Sequence, residues 1–157
     1  MHIRGGLVAA AALIVTGLAE TSHAQITAER MQKAKSVKCE FRTLATGNWG
    51  RDGTATGQLR TSPLSFSFFD INLDSGTADI DAKLGAVFAI VQLSGGKLHM
   101  ILVGSAGYLH TTTVFDQPGS SPGKLKAVHS RHEYTDVALP GYTFRPEQYY
   151  GECQLVE

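Results

Sequence analysis

Two groups of side chains in this sequence have the types and spacing to do chemistry, and they point to different chemistries. Asp70, Asn72 and Asp74 alternate along one stretch and Asp79 and Asp81 along the next, with Ser75-Gly76 between them. A two-residue turn there folds the stretches into a hairpin, and that register sets Asp70 opposite Asp81 and Asn72 opposite Asp79. Like charges directly across a ladder repel, so something must offset them. Oxygen ligands grouped this way suit a hard cation such as Ca²⁺, which makes Asp70, Asn72, Asp79 and Asp81 a candidate metal set. Lys83, Arg60 or plain solvation of an exposed face would also serve. The stretch is not a helix–loop–helix calcium loop, because Ser75 stands where that loop needs glycine and no helical pattern flanks it.

The second group is His99, His110, His129 and His132. On a meander of neighbouring strands His99 and His110 share one face diagonally, near enough for a common ligand. His129 and His132, three residues apart on one strand, face opposite ways. Zinc would need a third ligand from His129 or Glu133. Spacing this scattered fits hydrogen-bonded sheet histidines better, with Gln92 opposite His99 as a partner. Thr111-Thr112-Thr113 beside His110 and Asp116, and Ser130-Arg131-His132-Glu133, contain nucleophile, base and acid types. A triad needs fixed geometry and oxyanion donors rather than adjacent letters, and neither stretch carries a nucleophile elbow or the β-lactamase motifs. No catalytic residue and no cofactor are therefore expected.

The elements that must position these groups begin after a leader. Arg4 supplies a positive start, Gly5 to Ala19 an apolar run, and Ser22-His23-Ala24 small residues at a cleavage site, so residues 1–24 read as a secretory signal peptide. The run falls short of the roughly 20 residues a spanning helix needs, and no Cys follows the site to take a lipid. Export to the periplasm or the exterior is expected, with no integral membrane span in the mature chain. Residues 25–157 suit one domain. Lys plus Arg and Asp plus Glu number 14 each, so there is no basic footprint for nucleic acid. The two cysteines, Cys39 and Cys153, meet an oxidising compartment and are expected to bond. On the chain-entropy model that closure is worth about 4 to 5 kcal/mol.

Ala28, Met31 and Ala34 recur at near-helical spacing behind Thr27, which predicts a short helix over Thr27 to Lys35. From Val37 the period becomes two, with Val37, Cys39 and Phe41 on one face, and Cys153 and Leu155 alternate likewise at the other end. First and last strands lying side by side would close the sheet. In the acidic hairpin the expected register turns Phe69, Ile71 and Leu73 inward with Ala78, Ile80 and Ala82. Ala86 to Leu93 and Lys97 to Val103 flank Gly95-Gly96 and pair Leu93 with Leu98 and Val91 with Met100. Tyr108 to Phe115 follows and places Leu109, Thr111 and Thr113 on that same apolar face. Phe88, Ile90, Gln92, His99, Ile101, Val103, Tyr108 and His110 then share the reverse face. Leu125 to His132 reads as a strand, and Glu133 to Tyr149 as an irregular crossing whose Tyr142, Phe144, Tyr149 and Tyr150 plug one end or form a ligand lip.

The expected fold is all-β with one short N-terminal helix, a mostly antiparallel barrel or curved clam of about eight strands spanning 25–157. Its outline resembles lipocalin-type barrels in size and meander order. Because both faces of the meander are largely apolar, which a one-sided sheet does not need, the leading expectation is a non-catalytic exported protein. It would hold a small, largely apolar ligand inside the barrel, with Phe88, Gln92, His99, Tyr108 and His110 as contacts. The alternative is an interaction module that joins a like or unlike partner through the surplus apolar face. A hydrolase using His110 or His129 comes third.

Overall fold

Period-two alternation recurs after residue 35, and among the described residues it folds into eight strands: β1 (Ser36–Trp49), β2 (Ala55–Asn72), β3 (Thr77–Ile80), β4 (Phe88–Ser94), β5 (Lys97–Val103), β6 (Leu109–Pro118), β7 (Lys124–His132) and β8 (Glu147–Val156). The computed structural model describes residues 27–81, 88–104, 108–132 and 146–157. The leader, Lys83, Glu133, Tyr142 and Phe144 lie outside these residues. Every strand pairs antiparallel with its neighbour in sequence, and β1 pairs with β8 as well as β2, so the sheet closes into a barrel. The all-β class and the strand number are those the alternation predicts.

Cys39 and Cys153 stand directly opposite each other on the β1–β8 ladder and are bonded, their side chains buried. The disulfide therefore staples the closing seam. Inward side chains form one core, with Val37, Phe41 and Leu44 of β1 meeting Phe66 and Phe68 of β2, Leu98 and Met100 of β5, and Val114 of β6. A short helix, α1, covers 27–33 and turns Thr27 and Met31 inward, with Ala34 buried just after it. It stops before Lys35 because the chain has already entered the sheet there. The Lys35 N–H donates to Val156 O at 2.8 Å and its carbonyl accepts from the Ile71 N–H at 3.1 Å. Arg30 Nη2 reaches Gly123 O at 3.4 Å, which seats α1 at the end of the barrel where β6 turns into β7. We call this the basal end. Ile80, Phe88, Val103, Leu109, His132 and Glu147 terminate their strands at the opposite end, the rim. There β1 and β2 continue past the last β1–β8 rung, Thr46–Glu147, as a two-stranded ribbon to Trp49–Ala55.

Two departures from strict alternation, at Arg42 and Asp70, and the register of β6 decide which side chains point inward. At Arg42 the β1 register shifts, and Pro63 of β2 falls in the same gap, where its missing N–H costs no rung. At Asp70 β2 bulges, with a left-handed φ of 51°. The expected inward set is corrected by this bulge: Phe66, Phe68 and Ile71 face the core, and Phe69 faces out. The expected two-residue turn is likewise a four-residue one over 73–76. On β6 the expected face is reversed. Met100 pairs with Thr112 and Leu102 with His110, so His110, Thr112 and Val114 point inward and Leu109, Thr111 and Thr113 outward. A one-residue slip across the β5–β6 connection moves every side chain to the other face. By contrast, the β4–β5 hairpin has the expected register, Leu93–Leu98 and Val91–Met100, with Gly95 and Gly96 at φ 56° and 70° as a tight turn of this kind requires. The end of the irregular crossing is also corrected, since Glu147 to Tyr149 already belong to β8.

Candidate functional site

Inside the barrel the apolar core gives way, toward the rim, to a polar layer contributed by four strands. Going down this layer, His110 of β6 stands opposite Arg131 of β7, which stands opposite Glu147 of β8, and Glu147 opposite Thr46 of β1. One rung nearer the base, Thr112, His129 and Tyr149 face one another across the same strands. Thr112 Oγ1 and His129 Nδ1 are hydrogen-bonded at 2.9 Å. The Tyr149 hydroxyl donates to Glu147 Oε2 at 3.0 Å, and Arg131 Nη1 lies 3.7 Å from the same oxygen. His129 exposes 0% of its surface. Its ring packs against Phe66 at 4.8 Å, His110 at 5.6 Å, Phe41 at 5.8 Å and Tyr149 at 6.1 Å between centroids.

Burial, together with the neighbouring His110 and Arg131, lowers the His129 pKa to about 3, so the imidazole is neutral at ordinary pH. Its Nε2 has no hydrogen-bond partner among the described residues. Burial and the Glu147 carboxylate raise the Tyr149 phenol above its ordinary value. This arrangement is not a catalytic relay. The carboxylate that could orient a histidine is bonded to Tyr149 and paired with Arg131, and His129 is bonded to a threonine. Around His129, Leu44, Met100, Leu102 and Thr112 expose no surface, as does His129 itself, so no water-sized space touches these five side chains.

The residues expected to contact a ligand do not gather on one face. His110 is buried in the polar layer, and Tyr108 sits at the rim with its ring 5.0 Å from that of His110. Phe88, Gln92 and His99 lie on the outer wall. His99 Nδ1 is bonded to Thr113 Oγ1 at 3.1 Å, from the β6 side rather than from Gln92. On that outer wall, near the rim, Phe88 is 62% exposed, Ile90 49%, Val103 68% and Leu109 38%, with Ile101 half-buried among them. Ile90 pairs with Ile101 and Val103 with Leu109, so these side chains form one apolar surface across β4, β5 and β6. The far wall differs. Lys38, Glu40 and Arg42 of β1, Lys124 and Lys126 of β7 and Glu152 of β8 cover it, with Lys124 Nζ 2.7 Å from Glu40 Oε2.

In the acidic hairpin the bulge separates the carboxylates that the simple register opposed. Asp79 stands opposite Phe69, and the Asp81 N–H bonds to Ser67 O at 3.1 Å. Asn72 Oδ1 is occupied by the N–H groups of Asp74 and Ser75, both at 3.0 Å. Asp70, Asn72 and Asp74 instead line an open cleft of about 370 Å³ with Gln32 and Lys35. Among the described residues no three His, Cys, Asp or Glu side chains are placed to hold a metal ion together.

Sequence reasoning missed the Arg131–Glu147–Tyr149 group. One signal for it existed: His129 and Arg131 continue the alternation of Leu125 and Ala127, so the inward face of β7 had to turn polar toward its end. Glu147 and Tyr149 carried no such signal while their segment read as irregular. The chain matches no family model, and no curated protein or solved structure is significantly similar to it.

Proposed function

We propose that this chain is a non-catalytic, exported binding protein whose working surface is the outer apolar wall of β4, β5 and β6, and that it pairs there with a second copy of itself. The observation that carries this reading is the exposure of Phe88, Ile90, Val103 and Leu109 on adjacent strands of a barrel whose opposite wall is charged. Large apolar side chains exposed side by side, rather than scattered singly, are the kind of surface that serves as a contact site. A twofold axis running along the outer face of β5 makes the wall self-complementary. Val103 and Ile101 meet their own copies, and Phe88 of one molecule lies over Leu109 of the other. The buried disulfide fits an oxidising compartment. Among the described residues no helix is long and apolar enough to cross a membrane.

Sedimentation of the mature protein from about 1 µM to roughly 1 mM tests this directly. A dimer is expected for the native chain, and a monomer with unchanged circular dichroism for the Phe88→Ser, Val103→Ser double variant. A native chain that stays monomeric to the top of that range removes the reading. A small apolar ligand inside the barrel is a second reading, favoured by one observation, the buried His129 Nε2 without a partner. It requires Leu44, Met100 or Leu102 to move aside, since these side chains around His129 expose no surface. Native mass spectrometry of protein from its own envelope is expected to carry an extra mass in that case, and a bare chain mass refutes it.

A further inference from the structure

We propose that His99 makes the outer wall a metal-clasped interface: the His99 imidazoles of two copies, brought together on the twofold axis, bind one zinc ion or a similar nitrogen-seeking divalent metal between them. This site rests on the pairing of the wall with a second copy proposed above. An axis along the outer face of β5 sets every outward residue of that strand opposite itself. Those residues are Lys97, His99, Ile101 and Val103. His99 stands two residues from Ile101, a rise of about 7 Å, on the basal side of the apolar contact. The site is incomplete in a single chain, which supplies one imidazole only.

The ring is already held as a metal ligand is held. His99 Nδ1 is bonded to Thr113 Oγ1 at 3.1 Å. In the tautomer that binds a metal, Nδ1–H donates to that oxygen and the lone pair lies on Nε2, while the bond fixes the plane of the ring. Gln92 is the rung partner of His99 on β4 and is exposed on the same outer face. The two copies of Gln92 flank the histidine pair, one on each side, and their amide oxygens or water complete four-coordination. The surroundings select the metal. Residues 88–94, 97–103 and 109–115 include no carboxylate, so Ca²⁺ and Mg²⁺ lack the charged oxygens they need. Imidazole nitrogen suits zinc, copper and nickel instead. The one lysine of these segments, Lys97, reaches back over the β4–β5 turn, its Nζ 3.9 Å from where a Cβ on Gly95 would stand, so its charge is turned away from His99. A monomer offers the metal one imidazole and the dimer two. Zinc therefore binds the dimer in preference and tightens it by mass action.

The test is sedimentation of the mature, disulfide-bonded protein in EDTA and in a small excess of Zn²⁺, with native mass spectrometry of the zinc-treated sample. Zinc is expected to lower the dimer dissociation constant roughly tenfold or more and to add the mass of one ion per dimer. In His99→Asn, zinc is expected to change nothing. His132→Ala, which removes the exposed rim histidine beside Leu109, is expected to respond to zinc as the native chain does. Zinc should also shield His99, and not His132, from diethyl pyrocarbonate in the native protein, which decides the matter if His99→Asn does not fold. A native chain that dimerises in EDTA and gains nothing from zinc overturns this site and leaves the dimer standing. One that is monomeric in both conditions overturns the two together. A zinc response that survives His99→Asn, or that His132→Ala abolishes, places the metal elsewhere and overturns the site as well.

Discussion

Thr112 Oγ1 is the only hydrogen-bond partner that His129 has among the described residues, and this makes the pair sensitive to the loss of either member. Thr112→Val keeps the shape of the side chain and strands a second buried ring nitrogen, which costs about 1 to 3 kcal/mol. Urea unfolding at neutral pH is expected to show it; an unchanged midpoint would mean that the bond contributes nothing. Glu152 presents the opposite sign of pH dependence. Hydrogen bonds from the Ser120 hydroxyl and N–H, with Ser121 behind them, lower its pKa to about 2. A carboxylate whose folded value is depressed stabilises the fold above its ordinary value of 4.5 and loses that contribution as pH falls through about 2. Glu152 is largely solvated, so solvent screening holds the effect to about 0.5 kcal/mol. Glu152→Gln is expected to lower the urea midpoint slightly at neutral pH, and the gap to the native chain should vanish near pH 2. His129 is a base held neutral, so its cost begins where an ordinary histidine takes up a proton, near pH 6.5. Changes between there and pH 4.5 therefore report on the histidine and not on Glu152.

Among the elements, the β1–β8 seam tolerates no side chain at Gly151. A Cβ there would run into Glu40 O and lie 2.6 Å from Phe41 Cα, both backbone atoms of the facing strand. Gly151→Ala must part the ladder, and a loss at or above the usual overpacking range of about 1 to 3 kcal/mol is expected in urea. Gly47→Ala, with nothing within 4 Å, is the control and should change stability little. At Gly96, where φ is 70°, Ala strains the β4–β5 turn and about 1 kcal/mol should be lost. That turn was legible because Gly95-Gly96 sits between two clean alternations. The β2–β3 connection was not, because the extra residue at Asp70 reverses the phase without any glycine to mark it. Nor was β6, whose own alternation is clear but whose register against β5 depends on the geometry of the connection between them.

For the whole molecule the disulfide spans 114 residues and joins the two strands that meet last in sequence. Replacing both cysteines with alanine releases the unfolded chain from that closure. A loss approaching the 4 to 5 kcal/mol of the entropy estimate, or about half of it where the reduced chain stays compact, is expected by urea or thermal unfolding. Exchange protection should fall first along β1 and β8. A barrel that closes by pairing its first strand with its last has long-range contacts throughout, so refolding on the millisecond-to-second scale is expected even with the bond intact. Stopped-flow refolding measures this, and a microsecond phase carrying the full amplitude would contradict it.

Alternation, turn residues and two cysteines were enough to determine an antiparallel barrel, its inward Cys39 and Cys153 and the bond between them. These follow from local periodicity, which a strand expresses wherever it is placed. Which histidine faces inward, and whether the carboxylates of the hairpin meet, was decided only by the tertiary structure. Facing depends on bulges and on the register between strands, and a shift of one residue exchanges interior for exterior. The polar layer of His110, Arg131, Glu147 and Thr46 draws one residue from each of four strands, and only ring closure, which sets β8 beside β1, brings Glu147 to Thr46.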